Sequence, residues 1–459
     1  MQKFFELDRI DATKRDVVAR LKDFDEIYNL FKPLKAQEQA DRCVQCGDPY
    51  CHNKCPLHNL IPQWLKSVAS KDLELAFNLS NEPSPFPEVM GRICPHDRLC
   101  EGDCTLNDGH GAITIGSVET YINEEGIKKG FKPKFAADKI GKKVAIIGAG
   151  PSGLSAATFL LREGVDVELF DKHTRAGGLM TYGIPGFKLD KSVVERRVDF
   201  LKEAGAVFHQ ECEVGKDISF EKLKEDFDAL YIGVGATEGR KSGLEGEDAP
   251  NAYLAMEFLT SIQKKLFNEK CDIEIDVKDK RVVVIGGGDT AMDCVRTSLR
   301  EKAKSVTCLY RRDAHNMPGS QKEYINAKEE GVEFEFYTSP KALKLEQGEI
   351  TEVQMIKTQL GEADNSGRQR VQEVAGSEYD VEADIVIFAL GFDSLKYPFL
   401  VDNDIELDQW NGIVVDSNYE TSCEGVYAGG DCHRGADLVV TAVYDGREAA
   451  KAIAKSFTN

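Results

Sequence analysis

Cysteine is concentrated near the beginning of the chain, where its spacing could place several thiolates around one metal centre. The sequence has 13 cysteines, of which six are scattered singly through residues 212–432. The other seven lie much closer together, in the patterns C-x2-C-x4-C-x3-C and C-x5-C-x3-C. Intervals this short allow thiolates from one loop to converge on a single cluster. The clustered residues are Cys43, Cys46, Cys51, Cys55, Cys94, Cys100 and Cys104.

Such a cysteine pattern suits either iron–sulfur clusters or zinc. Structural zinc sites use sets of four ligands in paired knuckles and have no redox chemistry. Seven cysteines, including a Cys55-Pro56 pair of the kind found in ferredoxin loops, favour iron–sulfur clusters in a chain that also binds dinucleotides. We interpret His52 and His96, which lie among the cysteines, as neighbours of the ligands or as surface residues, because clusters are held mainly by thiolates.

A first dinucleotide-binding motif of the form G-x-G-x-x-G follows the apolar run 144–147. It precedes a predicted helix over 154–162 and a second predicted strand over 165–170. The first glycine allows a tight turn, the second lets the backbone approach a pyrophosphate, and the third lets the helix pack on the strand. An aspartate at the end of the second strand can accept hydrogen bonds from both ribose hydroxyls. The expected binding residues are Gly148, Gly150, Pro151, Ser152, Gly153 and Asp171.

A second motif, G-x-G-x-x-A, follows the apolar strand predicted over 281–285. A helix is predicted over 292–300, and the strand predicted over 305–310 after it ends in two arginines instead of an aspartate. An acid at this position would repel a 2′-phosphate, whereas paired guanidinium groups would bind it. This contrast assigns NADPH to the second motif. The expected binding residues are Gly286, Gly288, Asp289, Thr290, Ala291, Arg311 and Arg312.

Three further segments resemble the flavin-binding segments of oxidoreductases that have two dinucleotide-binding domains. They are the loop 175–179, the strand and turn 231–237, and the C-terminal apolar strand 426–431 with the helix that follows it. The resemblance implies that FAD occupies the first site and that the NADPH unit is inserted between two halves of the FAD unit. It adds the binding residues Gly178, Leu179, Gly235, Gly430, Asp431, Val439 and Thr441.

Hydride transfer between these cofactors needs no catalytic side chain, because the protein only aligns the two rings. We accordingly predict no catalytic residue, and the sequence offers no Ser/His/Asp arrangement to suggest one. The formal net charge of −20 disfavours nucleic acid as a partner. The sequence shows no signal peptide and no run of roughly 18 apolar residues, so we expect a cytoplasmic protein without a membrane partner.

The cysteine segment, residues 112–119 and both dinucleotide motifs together resemble the small subunits of bacterial NADPH-dependent glutamate synthases. The resemblance covers nearly the whole chain. It implies two [4Fe–4S] clusters with interleaved ligands, and seven thiolates cannot fill eight positions. In that family the eighth ligand is a Glu or Gln after the last cysteine, which matches Glu119. The implied ligands are Cys43, Cys46, Cys51 and Cys104 for one cluster, and Cys55, Cys94, Cys100 and Glu119 for the other.

The resemblance also implies a function. NADPH would reduce FAD, and single electrons would pass through the clusters to the glutamate synthase large (alpha) subunit for L-glutamate synthesis. Two alternatives stay open. One is a flavin and iron–sulfur subunit of a ferredoxin:NADP transhydrogenase or sulfide dehydrogenase. The other, from a different class, is a zinc-stabilised NADPH-binding regulator without turnover.

The expected fold is α/β, with two Rossmann-like dinucleotide-binding domains preceded by a helical domain that holds two iron–sulfur clusters. The expected domains are residues 1–140 for the clusters, 141–238 for the first part of the FAD domain, 239–391 for the NADPH domain, and 392–459 for the second part of the FAD domain.

Overall fold

A computed structural model describes residues 3–271, 273–363 and 369–458. The described residues before position 143 form a bundle of short helices, as the sequence predicts. They are a 3-10 helix at Lys3–Phe5 and α-helices at Val17–Arg20, Pro33–Asp41, Tyr50–Lys54, Ile61–Ala69, Leu73–Asn81, Pro87–Ile93, Asn107–His110 and Ile115–Lys128.

The helix Ile61–Ala69 shows how this bundle is held together. Its apolar residues Ile61, Trp64, Leu65 and Val68 recur at the spacing of one helix face, and all four are buried. They pack with apolar side chains of the neighbouring helices, and several of the clustered cysteines pack against the same core. The helical core therefore fixes the positions of the cysteine loops.

The first sheet is parallel and five-stranded, and it draws its strands from both ends of the dinucleotide-binding part of the chain. Its central strand is buried along nearly its whole length, as expected where helices cover both faces of a parallel sheet. The strands, in order across the sheet, are Val426–Ala428, Ala229–Ile232, Lys143–Ile147, Asp166–Phe170 and Val207–His209.

The second sheet is also parallel, and its central strand follows the same pattern of burial. Its strands, in order, are Ala252–Leu254, Ile385–Phe388, Arg281–Ile285, Ser305–Tyr310 and Glu333–Phe336. A separate antiparallel sheet is built from Thr338–Glu346, Glu349–Ala363, Gln369–Glu373 and Tyr379–Glu382.

The remaining helices cover the two parallel sheets. They are Pro151–Arg162, Leu179–Tyr182, Lys191–Glu203, Phe220–Asp226, Ala255–Phe267, Asp289–Arg300, Gln321–Glu330, Pro398–Asp402, Asp431–Arg434 and Val439–Ser456. The helices after the two glycine motifs begin three residues earlier than the sequence indicates, at Pro151 and Asp289. Proline suits the first helical position because the missing N–H would have no partner there, and an acidic side chain suits the positive end of the helix.

A short antiparallel ribbon links the two parallel sheets, where Glu238–Gly239 pairs with Phe392–Asp393. The side chains of Arg240 and Asp393 form an ion pair of 2.6 Å beside it. The domain boundaries predicted after residues 238 and 391 fall at this ribbon. The four-part division itself stays a prediction.

The N-terminal arm, residues 14–28, reaches the second dinucleotide-binding unit through buried charges. Arg20 is fully buried, and its Nε lies 3.1 Å from a carboxylate oxygen of Glu330. Arg296 and Arg300 bind the same carboxylate, each at 2.8 Å, and both stack on the ring of Phe187. Burial would raise the pKa of Glu330, but the hydrogen bonds from Arg296 and Arg300 lower it to about 2.

Replacing Glu330 with glutamine should destabilise the protein at neutral pH. Removing one partner from a buried ion pair leaves uncompensated charge and costs about 3 kcal/mol, and here three arginines surround one carboxylate. Because the folded-state pKa is depressed, the stabilisation is present above the ordinary pKa of 4.5 and is lost as the pH falls towards about 2. Urea unfolding at a series of pH values should therefore show that the difference in free energy of unfolding between the variant and the wild type becomes smaller below about pH 4.5.

Glu329→Gln is the matched control, because the Glu329 side chain is 39% exposed although it pairs with Lys14 and Arg20. Exposed ion pairs contribute about 1 kcal/mol or less to stability. This variant should therefore unfold at nearly the same urea concentration as the wild type. Equal losses of unfolding free energy in the two variants would show that the burial of Glu330 is not the reason for its contribution to stability.

Among the described helices, none combines the length and the apolar character that crossing a bilayer requires.

Candidate functional site

A cavity of about 570 Å³ lies at the carboxyl ends of the strands of the first sheet. Four segments that lie far apart in the sequence line it: the two glycine motifs, the helix Val439–Ser456, and the segment that carries Cys94. Ten of the residues predicted to bind FAD line this cavity. They are Gly148, Gly150, Pro151, Ser152, Asp171, Gly178, Leu179, Gly235, Asp431 and Val439.

The three other predicted FAD residues, Gly153, Gly430 and Thr441, are not among the residues that line this cavity. A Cβ on Gly153 would lie 1.9 Å from the carbonyl oxygen of Gly148, so this glycine allows the helix to pack on the turn. Gly430 is packed against the side chain of Ser152 in the same way. The hydroxyl of Thr441 donates to the carbonyl oxygen of Leu438 at 2.7 Å.

The two glycines at the front of the first motif have different roles. Gly148 has a φ of +100°, and a Cβ there would lie 2.5 Å from the carbonyl oxygen of Gly233. The turn therefore requires glycine. A Cβ on Gly150 would meet only the Cα of Gly178, at 3.9 Å. The backbone at Gly150 is thus open to a close-approaching group, which is what a bound pyrophosphate needs.

Two aspartates at the cavity differ in how their carboxylates are satisfied. Asp171 accepts hydrogen bonds from the backbone N–H groups of Ala149, at 2.7 Å, and His173, at 2.8 Å. Asp431 has a buried carboxylate oxygen, Oδ1, that has no hydrogen-bond partner among the described residues. Burial raises the pKa of Asp431 to about 7. A hydroxyl donor on a ligand would satisfy this oxygen, so the residues present fit FAD in this cavity.

At the second motif, the helix Asp289–Arg300 begins directly after Gly288, whose missing Cβ would meet nothing within 4 Å. Open backbone at a helix N-terminus fits a dinucleotide pyrophosphate. Asp289 and Thr290 line the large cavity. Gly286 lies in the turn between strand and helix, where a Cβ would lie 2.3 Å from the carbonyl oxygen of Ala389. Ala291 lies in the first turn of the helix and is buried.

Arg311 and Arg312 follow the strand Ser305–Tyr310, in the position that the sequence assigns to a 2′-phosphate. Arg311 is exposed, and its side chain makes no ion pair with a described residue. Arg312 donates to the backbone carbonyl oxygen of Gln369 at 3.1 Å. Neither guanidinium group is paired with a carboxylate of a described residue, which fits an anionic ligand.

The sequence does not indicate an ion pair between the loop before the helix Lys191–Glu203 and the helix Asp289–Arg300. The amino nitrogen of Lys188 lies 2.9 Å from a carboxylate oxygen of Asp293, and both residues line the large cavity. Burial lowers the pKa of Lys188, but the neighbouring carboxylate of Asp293 outweighs this effect, so the pKa of Lys188 is raised. Burial raises the pKa of Asp293 to about 6, against the opposing effect of Lys188. No motif marks this pair, because its partners lie in separate domains of the sequence.

A second, small cavity lies in the helical bundle, and the residues implied for one cluster surround it. Its lining includes Cys55, Cys94, Cys100 and Glu119, together with the neighbouring His96. Burial raises the pKa of both the Cys94 and the Cys100 thiols, and the nearby Glu119 acts in the same direction. Burial also raises the pKa of Glu119, to about 8. Four thiol and carboxyl groups around one cavity fit an iron–sulfur cluster, which would hold them deprotonated.

The four cysteines implied for the other cluster are also neighbours. Burial, together with the nearby thiols of Cys46 and Cys104, raises the pKa of Cys43 to about 11 and that of Cys51 to about 12. Thiols that influence one another in this way fit the second ligand set. Among the described residues, no group of three or more His, Cys, Asp or Glu side chains is arranged to hold a single metal ion.

The two cavities share part of their walls. Cys94 and Val440 line both, and Ile93 and Pro95 extend the contact on the side of the large cavity. The sequence does not indicate these wall residues, except for Cys94, because Val440 lies far from the cysteines along the chain. This arrangement places the proposed flavin cavity directly beside one set of proposed cluster ligands.

Comparison with known protein families identifies both parts of the chain. Residues 20–131 match the family described as dihydropyrimidine dehydrogenase domain II, 4Fe-4S cluster. Residues 142–446 match the pyridine nucleotide-disulphide oxidoreductase family. The first match favours iron–sulfur clusters over the zinc site that the cysteine spacing left open. The predicted fold class, with a cluster-bearing helical domain before two dinucleotide-binding domains, is confirmed.

The chain is 48% identical over 460 residues to the glutamate synthase [NADPH] small chain of Escherichia coli, with 98% of each chain covered. The chain belongs to the glutamate synthase small chain family. It is an NADPH-dependent oxidoreductase with FAD and 4Fe-4S iron, as its sequence predicts. Another relative of the family, also from Escherichia coli, is the putative oxidoreductase AegA, which is 48% identical over 97% of this chain and 69% of its own.

Among solved structures, Mycobacterium tuberculosis FprA in complex with NADPH matches with a TM-score of 0.60 and 20% sequence identity. The match covers 69% of this chain and 85% of FprA. At this level of identity the likeness concerns the fold alone, and it agrees with the two parallel sheets of this member of the family.

Proposed function

We propose that the chain is the electron-input subunit of a glutamate synthase. It oxidises NADPH at FAD and passes single electrons through two [4Fe–4S] clusters to a large (alpha) subunit, which forms L-glutamate from glutamine and 2-oxoglutarate. Its family membership supports this proposal. The observation that carries it is the shared wall of the two cavities, because Cys94, a proposed cluster ligand, and Val440 line both the flavin cavity and the cluster cavity.

Bound FAD would supply hydride acceptance from NADPH and release of single electrons, which iron–sulfur clusters are suited to receive. The protein's part is to bind and orient. The open backbone at Gly150 receives the FAD pyrophosphate, Asp171 orients the adenosine ribose, and Asp431 accepts from a hydroxyl in the ribityl region. The helix Val439–Ser456 directs its positive end at the flavin cavity.

For NADPH, the backbone at Gly288 and the start of the helix Asp289–Arg300 receive the pyrophosphate. Arg311 and Arg312 bind the 2′-phosphate, which NADH lacks. The wall formed by Ile93, Pro95 and Val440 is apolar, so it keeps water away from the path between flavin and cluster.

The two clusters have an order in this proposal. The ligand set that surrounds the small cavity lies beside the flavin, and the set formed by Cys43, Cys46, Cys51 and Cys104 lies farther out. Tyr50, next to Cys51, is 55% exposed, which fits a face where a large subunit docks. We also propose the division into domains at residues 140, 238 and 391, which the origin of the strands in each sheet supports.

A second candidate differs only in the partner. AegA is as similar to this chain as the Escherichia coli small chain is, and it is named a putative oxidoreductase. The same cofactors could therefore supply electrons to another acceptor. Glutamate formation from glutamine and 2-oxoglutarate, measured with a glutamate synthase large chain added, separates the two candidates.

An anaerobic titration with NADPH tests the cofactor part of the proposal. The purified chain should contain one FAD and about eight irons, the sum of two four-iron clusters. The visible absorbance of the flavin should bleach with NADPH and not with an equal amount of NADH. A protein that contains zinc without iron, or a flavin that NADPH does not reduce, would end the electron-input proposal.

A further inference from the structure

A buried chain of hydrogen bonds ends at Glu119. The indole Nε1–H of Trp64 donates to the side-chain oxygen of Asn59 at 3.0 Å. The side-chain nitrogen of Asn59 donates to Oε1 of Glu119 at 2.7 Å. The three residues are 0%, 4% and 5% exposed, respectively. Polar groups buried this completely are expected to be fully hydrogen-bonded. The hydrogen bonds from Trp64 to Asn59 and from Asn59 to Glu119 satisfy one of the two carboxylate oxygens of Glu119.

The direction of these bonds is fixed by chemistry. An indole N–H can only donate, so the atom of Asn59 that faces Trp64 must be its oxygen. The amide nitrogen of Asn59 must then face Glu119, and it can only donate. The oxygen Oε1 of Glu119 is therefore held as an acceptor, and the other carboxylate oxygen is left for a different partner.

Asn59 also lies beside a second proposed ligand, because Asn59, Cys55 and Glu119 all line the small cavity. Its side chain is therefore placed within the ligand set, where it binds one member directly.

We propose that Asn59, oriented by Trp64, is a positioning residue that directs the free carboxylate oxygen of Glu119 at the iron–sulfur cluster held by Cys55, Cys94 and Cys100. This inference rests on the proposed function, since it requires that cluster. A neighbour that binds one oxygen of a metal-ligating carboxylate fixes its orientation, and losing such a neighbour typically costs about 10- to 100-fold in metal affinity.

The test is Asn59→Leu in the full-length protein, which keeps the volume of the side chain and removes both of its hydrogen bonds. On dilution into an iron chelator, about half of the iron should leave roughly tenfold faster than from the wild type. Low-temperature electron paramagnetic resonance of the reduced protein should show a changed signal for one cluster only. Trp64→Phe, which removes the indole N–H together with one of the two fused rings, should change both readouts in the same direction by less, and it tests the inference if Asn59→Leu does not fold.

Two controls match these variants. Asn53 lies in the helix Tyr50–Lys54 and is exposed, with its side-chain nitrogen donating to Asp48. Trp410 is the other tryptophan of the chain and is 64% exposed. Asn53→Leu and Trp410→Phe should release iron at the wild-type rate. Wild-type iron release and an unchanged resonance signal in Asn59→Leu would overturn the inference.

Glu119→Ala, measured in parallel, distinguishes the positioning role of Asn59 from the ligand role of Glu119. If it changes one cluster and Asn59→Leu does not, the positioning role alone is wrong. If Glu119→Ala also behaves as the wild type, the ligand assignment in the proposed function is wrong, and the positioning role falls with it.

Discussion

Cys94→Ser should interrupt electron flow while leaving the reduction of flavin by NADPH intact. The Cys94 thiol lines both cavities and is one of four groups proposed to hold the cluster beside the flavin. Serine conserves the size of the side chain but is a poor iron ligand. Iron should fall from about eight to about four atoms per chain. Glutamate formation with a large chain should fall by about 100-fold or more, because the flavin would lose its nearest acceptor, whereas stopped-flow reduction of the flavin by NADPH should change by less than about threefold.

Cys423→Ser is the control for the loss of a thiol. Cys423 belongs to the scattered cysteines and lies near Lys224 at the surface. Its serine variant should keep its full iron content and glutamate formation. Unchanged iron in Cys94→Ser would remove this residue from the ligand set, and slow flavin reduction in the same variant would place its role in the flavin cavity instead.

Replacing Arg311 and Arg312 together with glutamine should remove the preference for NADPH. A charge-assisted hydrogen bond to a phosphate contributes about 1.5–3 kcal/mol, so losing the pair should lower kcat/KM for NADPH by about 100-fold, equivalent to about 3 kcal/mol. NADH has no 2′-phosphate, and its kcat/KM should change by less than about threefold. Steady-state rates with each nucleotide, read from a dye that accepts electrons from the flavin, give the comparison.

Lys304→Gln tests whether loss of positive charge in general has this effect. Lys304 is exposed and precedes the strand Ser305–Tyr310, at the opposite end from the two arginines. Its variant should keep the wild-type ratio of NADPH to NADH. A double arginine variant that loses activity equally with both nucleotides would assign the pair to folding or to the pyrophosphate, and the 2′-phosphate would need another binding site.

Much of the architecture could be predicted from local patterns. The strand, glycine turn and helix around Gly148 are adjacent in sequence, and each glycine has a steric role that its spacing reveals. The fold class could be predicted because the same unit occurs twice with an apolar central strand. Helix starts were less accurate, since Pro151 and Asp289 extend the helices into the glycine turns.

Contacts between distant segments could not be predicted in this way. Nothing near Val440 indicates that it borders the cluster ligands, and nothing near Asn59 indicates that it binds Glu119. The pairing of Lys188 with Asp293 likewise depends on how two domains pack. Local spacing specifies turns and helices, whereas the identity of a side chain's neighbours depends on packing between elements that lie far apart in the chain.

The N-terminal arm and the cysteine loops are completed by residues that are synthesised much later. Arg20 binds Glu329 across 309 residues, and Arg447 donates to the carbonyl oxygen of Leu57, near Cys55, across 390 residues. A ribosome makes the chain from its N-terminus, so the cysteines emerge while these covering residues do not yet exist. The cysteine loops can therefore reach their final packing only after residue 447 has been made.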